Sequence, residues 1–351
     1  MSGLRILFAG EIVPGSRSLQ RISTLREMGH DVLIVETNKP GATYEDRPTL
    51  LERIQYRLRI PGDSVGANTA LINKLDQEHF DIVWLERCVT IRADTLRRIK
   101  ARNSGARIIW YSEDDMMNPR HLSRWTERAL PLFDLWVTTK SMNARAGEMP
   151  NKGVKNILFV NNSFDPRIHR PVEVSPDDAH RFGGDVSFVG TFERQRAASL
   201  AHLAANGIRV NIWGNGWERA SFGLDAPNVM GRPVYDDEYA KVVCASKINL
   251  CFLRRENRDL QTCRSMELPA MGGFMMHERN SEICGLFEEG KEAVFFGDDR
   301  ELVENCQNWL AADTERDTVA AAGRTRVLES SHSHHERLQQ ILGAAMDVSP
   351  T

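Results

Sequence analysis

A few arginines and carboxylates at defined spacings are the residues of this sequence best suited to chemistry. Arg194 and Arg196 follow Gly190-Thr191 at the expected start of a helix. Free backbone N–H groups at a helix N-terminus, with two guanidinium groups beside them, suit a diphosphate. Two arginines in a first turn oppose the helix dipole, so a bound anion would compensate them. An ordinary exposed first turn is the alternative. Further on, Arg254, Arg255, Arg258 and Arg264 surround Glu256 and Asp259. That is either a solvated charged loop or one wall of an anion pocket, and its place between an apolar strand and a helix favours the pocket. Within Arg264-Ser-Met-Glu-Leu-Pro-Ala-Met-Gly-Gly-Phe274, Glu267 sits among Met266, Leu268 and Met271. An ionised carboxylate in such surroundings needs partners. A ribose diol, with two hydroxyl donors, is one candidate and a structural ion pair is the other. Gly272 and Gly273 end that helix and would let backbone approach a ligand. In the first half, Asp114 and Asp115 follow a strand, where one could serve as a general base or cap the next helix.

These residues need a frame, and the apolar pattern supplies one. Arg5–Ala9 reads as a strand, Gly10–Ser16 as a glycine/proline loop with Ser16 as helix N-cap, and Leu19, Ile22, Leu25 and Met28 as one helical face. Gly29 stops that helix and Asp31–Val35 is a second strand, so the chain opens as a parallel α/β unit. His30, in the turn before that strand, is expected to be structural. The grammar continues with strands at Asp81–Leu85, Arg107–Tyr111, Leu135–Thr139 and Asn156–Val160 and helices at Ile91–Ala101 and Leu122–Leu132. Asn161–Pro171 is polar, carries two prolines and has no period, so the domain connection is placed there; Pro176–Gly184 also reads as loop. A second series follows: strands at Asp185–Val189, Ile208–Trp213, Lys247–Phe252 and Gly273–Met276, with helices at Arg194–Asn206, Asp237–Ala245 and Cys263–Met271. Helices at Arg300–Ala311, Thr314–Leu328 and His334–Met346 close the chain. Residues 1–165 and 172–333 are thus expected to be two facing α/β Rossmann-like domains with a cleft between them, and 334–351 a helix returning to the first. In open sheets of this kind ligands sit outside the carboxyl ends of the strands. That selects the loops Gly10–Arg17, Glu86-Arg87 and Ser112–Asn118 in the first half. In the second half it selects Gly190–Arg196, Gly214-Asn215-Gly216-Trp217, Leu253–Arg264 and Gly272-Gly273.

Composition sets limits. The 351 residues carry 45 Lys and Arg against 48 Asp and Glu, a net charge of −3, which argues against a general nucleic-acid surface. The six cysteines form no CxxC pair and are expected to be small buried hydrophobes in a reducing compartment. Leu4–Ala9 is too short and too interrupted for a signal peptide, and no apolar run approaches the roughly 20 residues of a membrane span. A cytoplasmic protein is expected, with peripheral membrane contact left open. His332, His334 and His335 read as a polar connection rather than a metal site. The first loop lacks GxGxxG, since Gly15 is the next glycine after Gly10, which disfavours a dinucleotide dehydrogenase.

Several motifs resemble two-domain (GT-B fold) glycosyltransferases, with the nearest likeness to the spore-maturation CgeB-type group. They are Phe188-Val-Gly-Thr-Phe-Glu-Arg-Gln-Arg196, Gly214-Asn-Gly-Trp217, Lys247–Phe252, Arg264–Phe274, Leu286–Ala293 and Ala320–Val327. The first half fits through Gly10 with Gly15-Ser-Arg-Ser18, Met28–Val32, Glu113-Asp-Asp115 and Asp165–Pro171. The resemblance implies that the second domain binds a nucleotide sugar and the first an acceptor, with Gly15, Ser16 and Arg17 at the acceptor. It implies that Glu267 holds the ribose while Arg196 and Arg264, assisted by Lys247, neutralise the diphosphate. No cofactor or metal is implied beyond the donor substrate. Related retaining enzymes carry Glu-x7-Glu; here the first position is Asp259. An inverting route would take Asp114 or Asp115 as base. A sugar-nucleotide epimerase of the same fold, or a non-catalytic nucleotide-sugar-binding protein, is the alternative.

Overall fold

Runs of apolar residues without alternation, such as Ile-Val-Trp-Leu and Ile-Ile-Trp-Tyr, suit strands covered on both faces, and such strands form all-parallel sheets. In a computed structural model, which describes residues 3–223 and 226–349, they do so twice. The chain divides into two units, one running to Asn161 and resuming at His334, the other spanning Asn162–Ser333.

In chain order, unit 1 has β1 (Arg5–Gly10), α1 (Arg17–Glu27), β2 (Asp31–Glu36), α2 (Leu50–Arg57), α3 (Ala67–Gln77), β3 (Ile82–Glu86), α4 (Ala93–Arg102), β4 (Arg107–Ser112), α5 (Arg124–Ala129), β5 (Leu135–Thr138) and β6 (Ile157–Phe159). Unit 2 follows with α6 (Pro176–Phe182), β7 (Gly184–Val189), α7 (Arg194–Ala205), β8 (Val210–Trp213), β9 (Asn228–Val229), α8 (Asp236–Cys244), β10 (Ser246–Cys251), α9 (Arg264–Ala270), β11 (Met275–Glu278), α10 (Ser281–Leu286), β12 (Val294–Phe296), α11 (Asp299–Leu310) and α12 (Asp313–Glu329). The closing helix α13 (His334–Asp347) lies with unit 1, where Leu338, Ile341, Leu342 and Ala345 pack into the cluster formed by Ile6, Phe8, Ile22 and Trp84.

The first sheet has the order β2-β1-β3-β4-β5-β6 and the second β12-β11-β10-β7-β8-β9, with every strand pair parallel. Strand order therefore reverses between β1 and β3 in unit 1, and between β7 and β10 in unit 2. Backbone loops diverge at such switch points and leave a crevice at the carboxyl ends.

Three segments differ from expectation. Pro176–Phe182 is a helix, because Ser175 and Asp178 form a reciprocal capping box and Pro176 stands at the first turn, where a missing N–H costs nothing. Asn161–Pro171 is no free linker: Asn162, Phe164, Asp165 and His169 are buried in unit 2, and Phe164 N–H donates to the His332 carbonyl. The helices α2 and α3 fall in a stretch where no helix was expected, α2 on a Thr49–Glu52 capping box.

Candidate functional site

The unit 2 switch point gathers the arginines. β7 delivers Phe188 and the loop into α7; β10 delivers Phe252 and the loop into α9. Arg196, in the first turn of α7, is only 2% exposed. It donates to the Thr191 carbonyl at 3.1 Å and the Phe252 carbonyl at 3.4 Å, and its guanidinium lies 5.6 Å from the centre of the Phe188 ring. Arg264, the first residue of α9, faces the same ring at 6.0 Å. Glu193 lies 3.6 Å from Arg196 and 3.0 Å from Arg254. One glutamate between two arginines, with a third close by, leaves excess positive charge in a dry place. Burial above all, and then Arg264, pushes the Arg196 guanidinium down to about 10. The Nε atoms of Arg196 and Arg264 are buried with no protein acceptor. Buried donors without partners are uncommon in folded proteins, and this pair marks a place for an anion.

Three residues along α9, and so on the same face as Arg264, stands Glu267, buried at 4% exposure. Its Oε2 accepts from the Tyr239 hydroxyl at 3.2 Å, and its Oε1 lies 3.8 Å from His169 Nε2. The Asp165 N–H donates to His169 Nδ1 at 2.9 Å, so in the neutral ring the proton sits on Nε2, towards Glu267. Burial, followed by the Glu267 charge, pushes the Tyr239 hydroxyl well up, so it remains a donor. Beneath α9, His277 Nδ1 meets the Glu278 carbonyl at 2.7 Å, which requires a proton there; its Nε2, 2.9 Å from Ser265 Oγ, accepts from that hydroxyl in the neutral ring. Ser265 Oγ accepts in turn from the Thr262 N–H at 2.9 Å. The network pins the first turn of α9, and with it Arg264 and Glu267. Sequence reasoning did not place His169, Tyr239, Ser265 or His277 in the site; His169 stood in the motif Asp165–Pro171 and Ser265 in Arg264–Phe274, while Tyr239 and His277 gave no local signal.

The remaining glycine and charged candidates divide. Gly214 has φ +143°, and a Cβ on it would lie 2.1 Å from the Gly190 carbonyl oxygen, so the loops after β7 and β8 approach this closely only because residue 214 is glycine. Asn215 accepts at its carbonyl from the Phe192 N–H, and Gly216 opens the turn that buries Trp217. Arg194 and Arg258 are exposed, so Arg194 does not share the burial of Arg196. Thr191 is also exposed. Asp259 is buried and accepts from the Asn257 amide at 2.8 Å and the Arg254 N–H at 3.3 Å, which makes it the organiser of its own turn. Gly273 serves packing rather than ligand approach: a Cβ there would meet Val243 Cγ1 at 2.4 Å. Gly272, at φ +76°, lies against Pro171 and Arg324. Lys247 stands apart. It occupies the amino end of β10, exposed and 3.4 Å from Asp185 at the amino end of β7, whereas the arginines cluster at the carboxyl ends. A one-strand length separates the two ends of the sheet, which motif spacing alone does not reveal.

Unit 1 has its own pocket at the switch point, about 90 Å³, lined by Glu11, Thr37, Glu86, Arg87, His121 and Ser123 among others. Glu86 is fully engaged: Arg21 donates to it at 2.9 and 2.6 Å, Ser18 at 2.8 Å and Trp84 at 3.3 Å. Asp114 pairs with Arg87 at 2.6 Å. Asp115 is buried, accepting from the Met117 N–H and the Asn143 amide, so it shapes a turn and is a poor base candidate. Gly15 and Ser16 form the turn and N-cap of α1, and Arg17 lies 3.5 Å from Glu113. His30 Nδ1 accepts from the Leu4 N–H, a structural role. His334 is buried, with its Nε2 3.3 Å from Gln20 Oε1. Four cysteines are buried and Cys244 partly so, but Cys284 is exposed on α10. Among the described residues, no group of three or more His, Cys, Asp or Glu is placed to hold a metal ion, and no helix is long and apolar enough to cross a membrane.

Two parallel α/β units, each with its crevice at a strand-order reversal and one with a basic cleft, define the class: a Rossmann-like fold of the GT-B type. Comparison with known proteins agrees. Residues 194–343 match a family model described as glycosyl transferase-like. Anabaena HepE, solved with UDP and glucose, is 11% identical with a TM-score of 0.63, over 97% of this chain and 100% of that one. Sucrose-phosphate synthase from Thermosynechococcus elongatus is 13% identical with a TM-score of 0.67, over 97% of this chain and 98% of that one. A candidate UDP-N-acetylglucosamine 2-epimerase from Listeria monocytogenes is 10% identical with a TM-score of 0.58, over 98% of this chain and 96% of that one. No curated protein sequence matches the chain. The family match covers the second half of the chain, and the structural neighbours share its fold.

Proposed function

We propose that this protein transfers a sugar from a nucleoside-diphosphate donor, of the UDP type, to an acceptor held by unit 1. The observation that carries the reading is the pair of arginines, Arg196 buried and Arg264 half-buried, whose buried Nε donors lack protein acceptors beside the buried Glu267. A diphosphate supplies the missing acceptors and negative charge, and a ribose diol supplies two hydroxyl donors to Glu267. Departure of the nucleoside diphosphate builds negative charge on its oxygens, and preorganised arginines stabilise that charge without reorientation. The same arrangement supports a metal-independent reaction. Asp259 is committed to its turn and so is not assigned the role of the first glutamate of Glu-x7-Glu. Of the two aspartates after β4, Asp114 is the one whose carboxylate an acceptor hydroxyl could reach, on release from Arg87. The motif likeness in Phe188–Arg196 and Arg264–Phe274 supports the CgeB-type group within the class, and the uncrosslinked cysteines support a cytoplasmic setting.

The test is thermal stabilisation by a panel of nucleoside diphosphates. UDP is expected to raise the melting temperature, and Glu267→Ala to weaken that response strongly while Asp114→Ala spares it. No response to any nucleotide would overturn the donor site, and unchanged binding by Glu267→Ala would overturn the ribose role. The fold also serves an epimerase, so the products made from a UDP-sugar with and without glycan acceptors separate the two activities.

A further inference from the structure

At the unit 1 switch point, the segments that follow β1, β2, β3 and β4 enclose the crevice of about 90 Å³, and His121 forms part of its wall. This side chain is only 8% exposed. Its Nδ1 meets the Asp115 carbonyl at 3.1 Å, and a carbonyl only accepts, so Nδ1 carries the proton. In the neutral ring Nε2 is therefore an acceptor. It has no partner among the described residues, and it is not sealed off from the crevice. Buried acceptors are seldom left unmet, so this one is met by whatever fills the crevice.

The rest of the wall says what that is. Its ionic groups are mostly matched already. Arg59 donates to the Leu122 carbonyl at 2.9 Å and to Glu127 at 2.8 Å, Arg87 pairs with Asp114 at 2.6 Å, and Glu86 pairs with Arg21 at 2.6 Å. Arg120 is exposed and has contacts of its own. The side chains with no hydrogen-bond partner among the described residues are of another kind. They are the Glu11 carboxylate and the hydroxyls of Thr37, Thr90 and Tyr56. Glu11 and His121 Nε2 accept, while the three hydroxyls both donate and accept. Ligand hydroxyls satisfy all five groups, whereas a phosphate would be repelled by Glu11, which no ion pair offsets.

Size and shape agree. A water occupies about 30 Å³ of liquid, so the crevice takes about three hydroxyl-sized groups, the edge of one sugar ring. Tyr56 adds an aromatic surface at its side. The backbone is also held in an unusual form here: of the five non-glycine residues with positive φ among the described residues, Arg59 (+62°) and Arg87 (+48°) both line this crevice. Such conformations gather where a protein grips a ligand. We propose that the crevice seats an uncharged sugar ring as the acceptor, with one ring hydroxyl donating to His121 Nε2. This rests on the transferase reading above and gives its acceptor a chemical class.

Saturation-transfer difference NMR on the full chain tests it, with the methyl glycosides of glucose, galactose, mannose and N-acetylglucosamine as probes. His121→Asn keeps an amide donor for the Asp115 carbonyl and removes the acceptor; Thr90→Val removes a hydroxyl at nearly constant volume. At least one glycoside is expected to bind the wild type, excess inorganic phosphate should not displace it, and each variant should bind it about three- to tenfold more weakly. Failure of all four glycosides to bind, or displacement by phosphate, would overturn the proposal. So would undiminished binding by His121→Asn, or by Thr90→Val if melting shows that the first variant does not fold. Thermal stabilisation by UDP is measured on the same samples. Loss of glycoside binding with the UDP response intact overturns this inference alone, and glycoside binding without a UDP response overturns the donor site alone.

Discussion

Replacing Arg196 by methionine should make the unliganded protein slightly more stable and the nucleotide complex much weaker. The magnitudes follow from the site. Burial and neighbouring arginines bring the Arg196 guanidinium down to about 10, a displacement equivalent to roughly 3 kcal/mol against its charged form. The sign is set by the lowered value: the folded protein releases this proton more readily than the unfolded chain does. The penalty is therefore fully present at every pH below about 10, including neutral pH, and is relieved only above it. Methionine removes the charge and keeps the packing against Phe188. It also strands the Thr191 and Phe252 carbonyls, whose hydrogen bonds of 3.1 and 3.4 Å contribute about 1 kcal/mol each. The balance is a gain of about 1 kcal/mol for the free protein, or roughly 2–4 °C in melting temperature for a unit of this size. Against a bound diphosphate the loss is a charge-assisted hydrogen bond, about 1.5–3 kcal/mol, or roughly 10- to 100-fold in affinity. Urea unfolding and calorimetric titration with UDP measure the two quantities separately. A free variant less stable than wild type by more than about 1 kcal/mol would refute the charge-strain argument. A UDP affinity within about threefold of wild type would refute the diphosphate role.

Other outcomes follow from the same contacts. Tyr239→Phe removes the hydroxyl that donates to Glu267 and should cost about 1 kcal/mol of stability with a several-fold loss of UDP affinity, read by melting and titration. Arg21→Met leaves Glu86 buried without its cation and should cost about 3–5 kcal/mol in urea unfolding; a cost below about 1 kcal/mol would show that Ser18 and Trp84 satisfy it alone. Asp115→Ala should destabilise by about 1–3 kcal/mol, while Asp114→Ala leaves the melt nearly unchanged and lowers transfer activity, because only the first carboxylate is buried in a turn. Burial holds the His30 imidazole below its ordinary value of 6.5. Its contribution is therefore present above that pH and is lost as pH falls through the folded value, and protonation would break the bond from Leu4 N–H. His30→Gln should flatten the pH dependence of stability on the acid side of neutrality.

The sequence by itself determined the elements and their kind. Uninterrupted apolar runs such as Ile82–Leu85 can only be covered on both faces, so parallel sheets followed, and with them the carboxyl-end loops as binding places. It also marked Glu267, since a carboxylate among apolar neighbours is expensive, and Arg196 and Arg264 by their places at helix starts, though it marked the exposed Arg194 equally. What it did not contain was the company these residues keep. His169 lies about a hundred positions from Glu267, and His277 reaches Ser265 only because β11 lies beside β10. Lys247 belongs to the same apolar strand as Cys251, yet it stands at the wrong end, because the direction of a strand fixes which loops share a crevice. Asp115 and Asp259 have the composition of catalytic acids, but nearby amide donors had already claimed their oxygens. Local chemistry is written in residue types and spacing; which end of a sheet, which partner and which face are decided by contacts distant in sequence, and those exist only once the chain is folded.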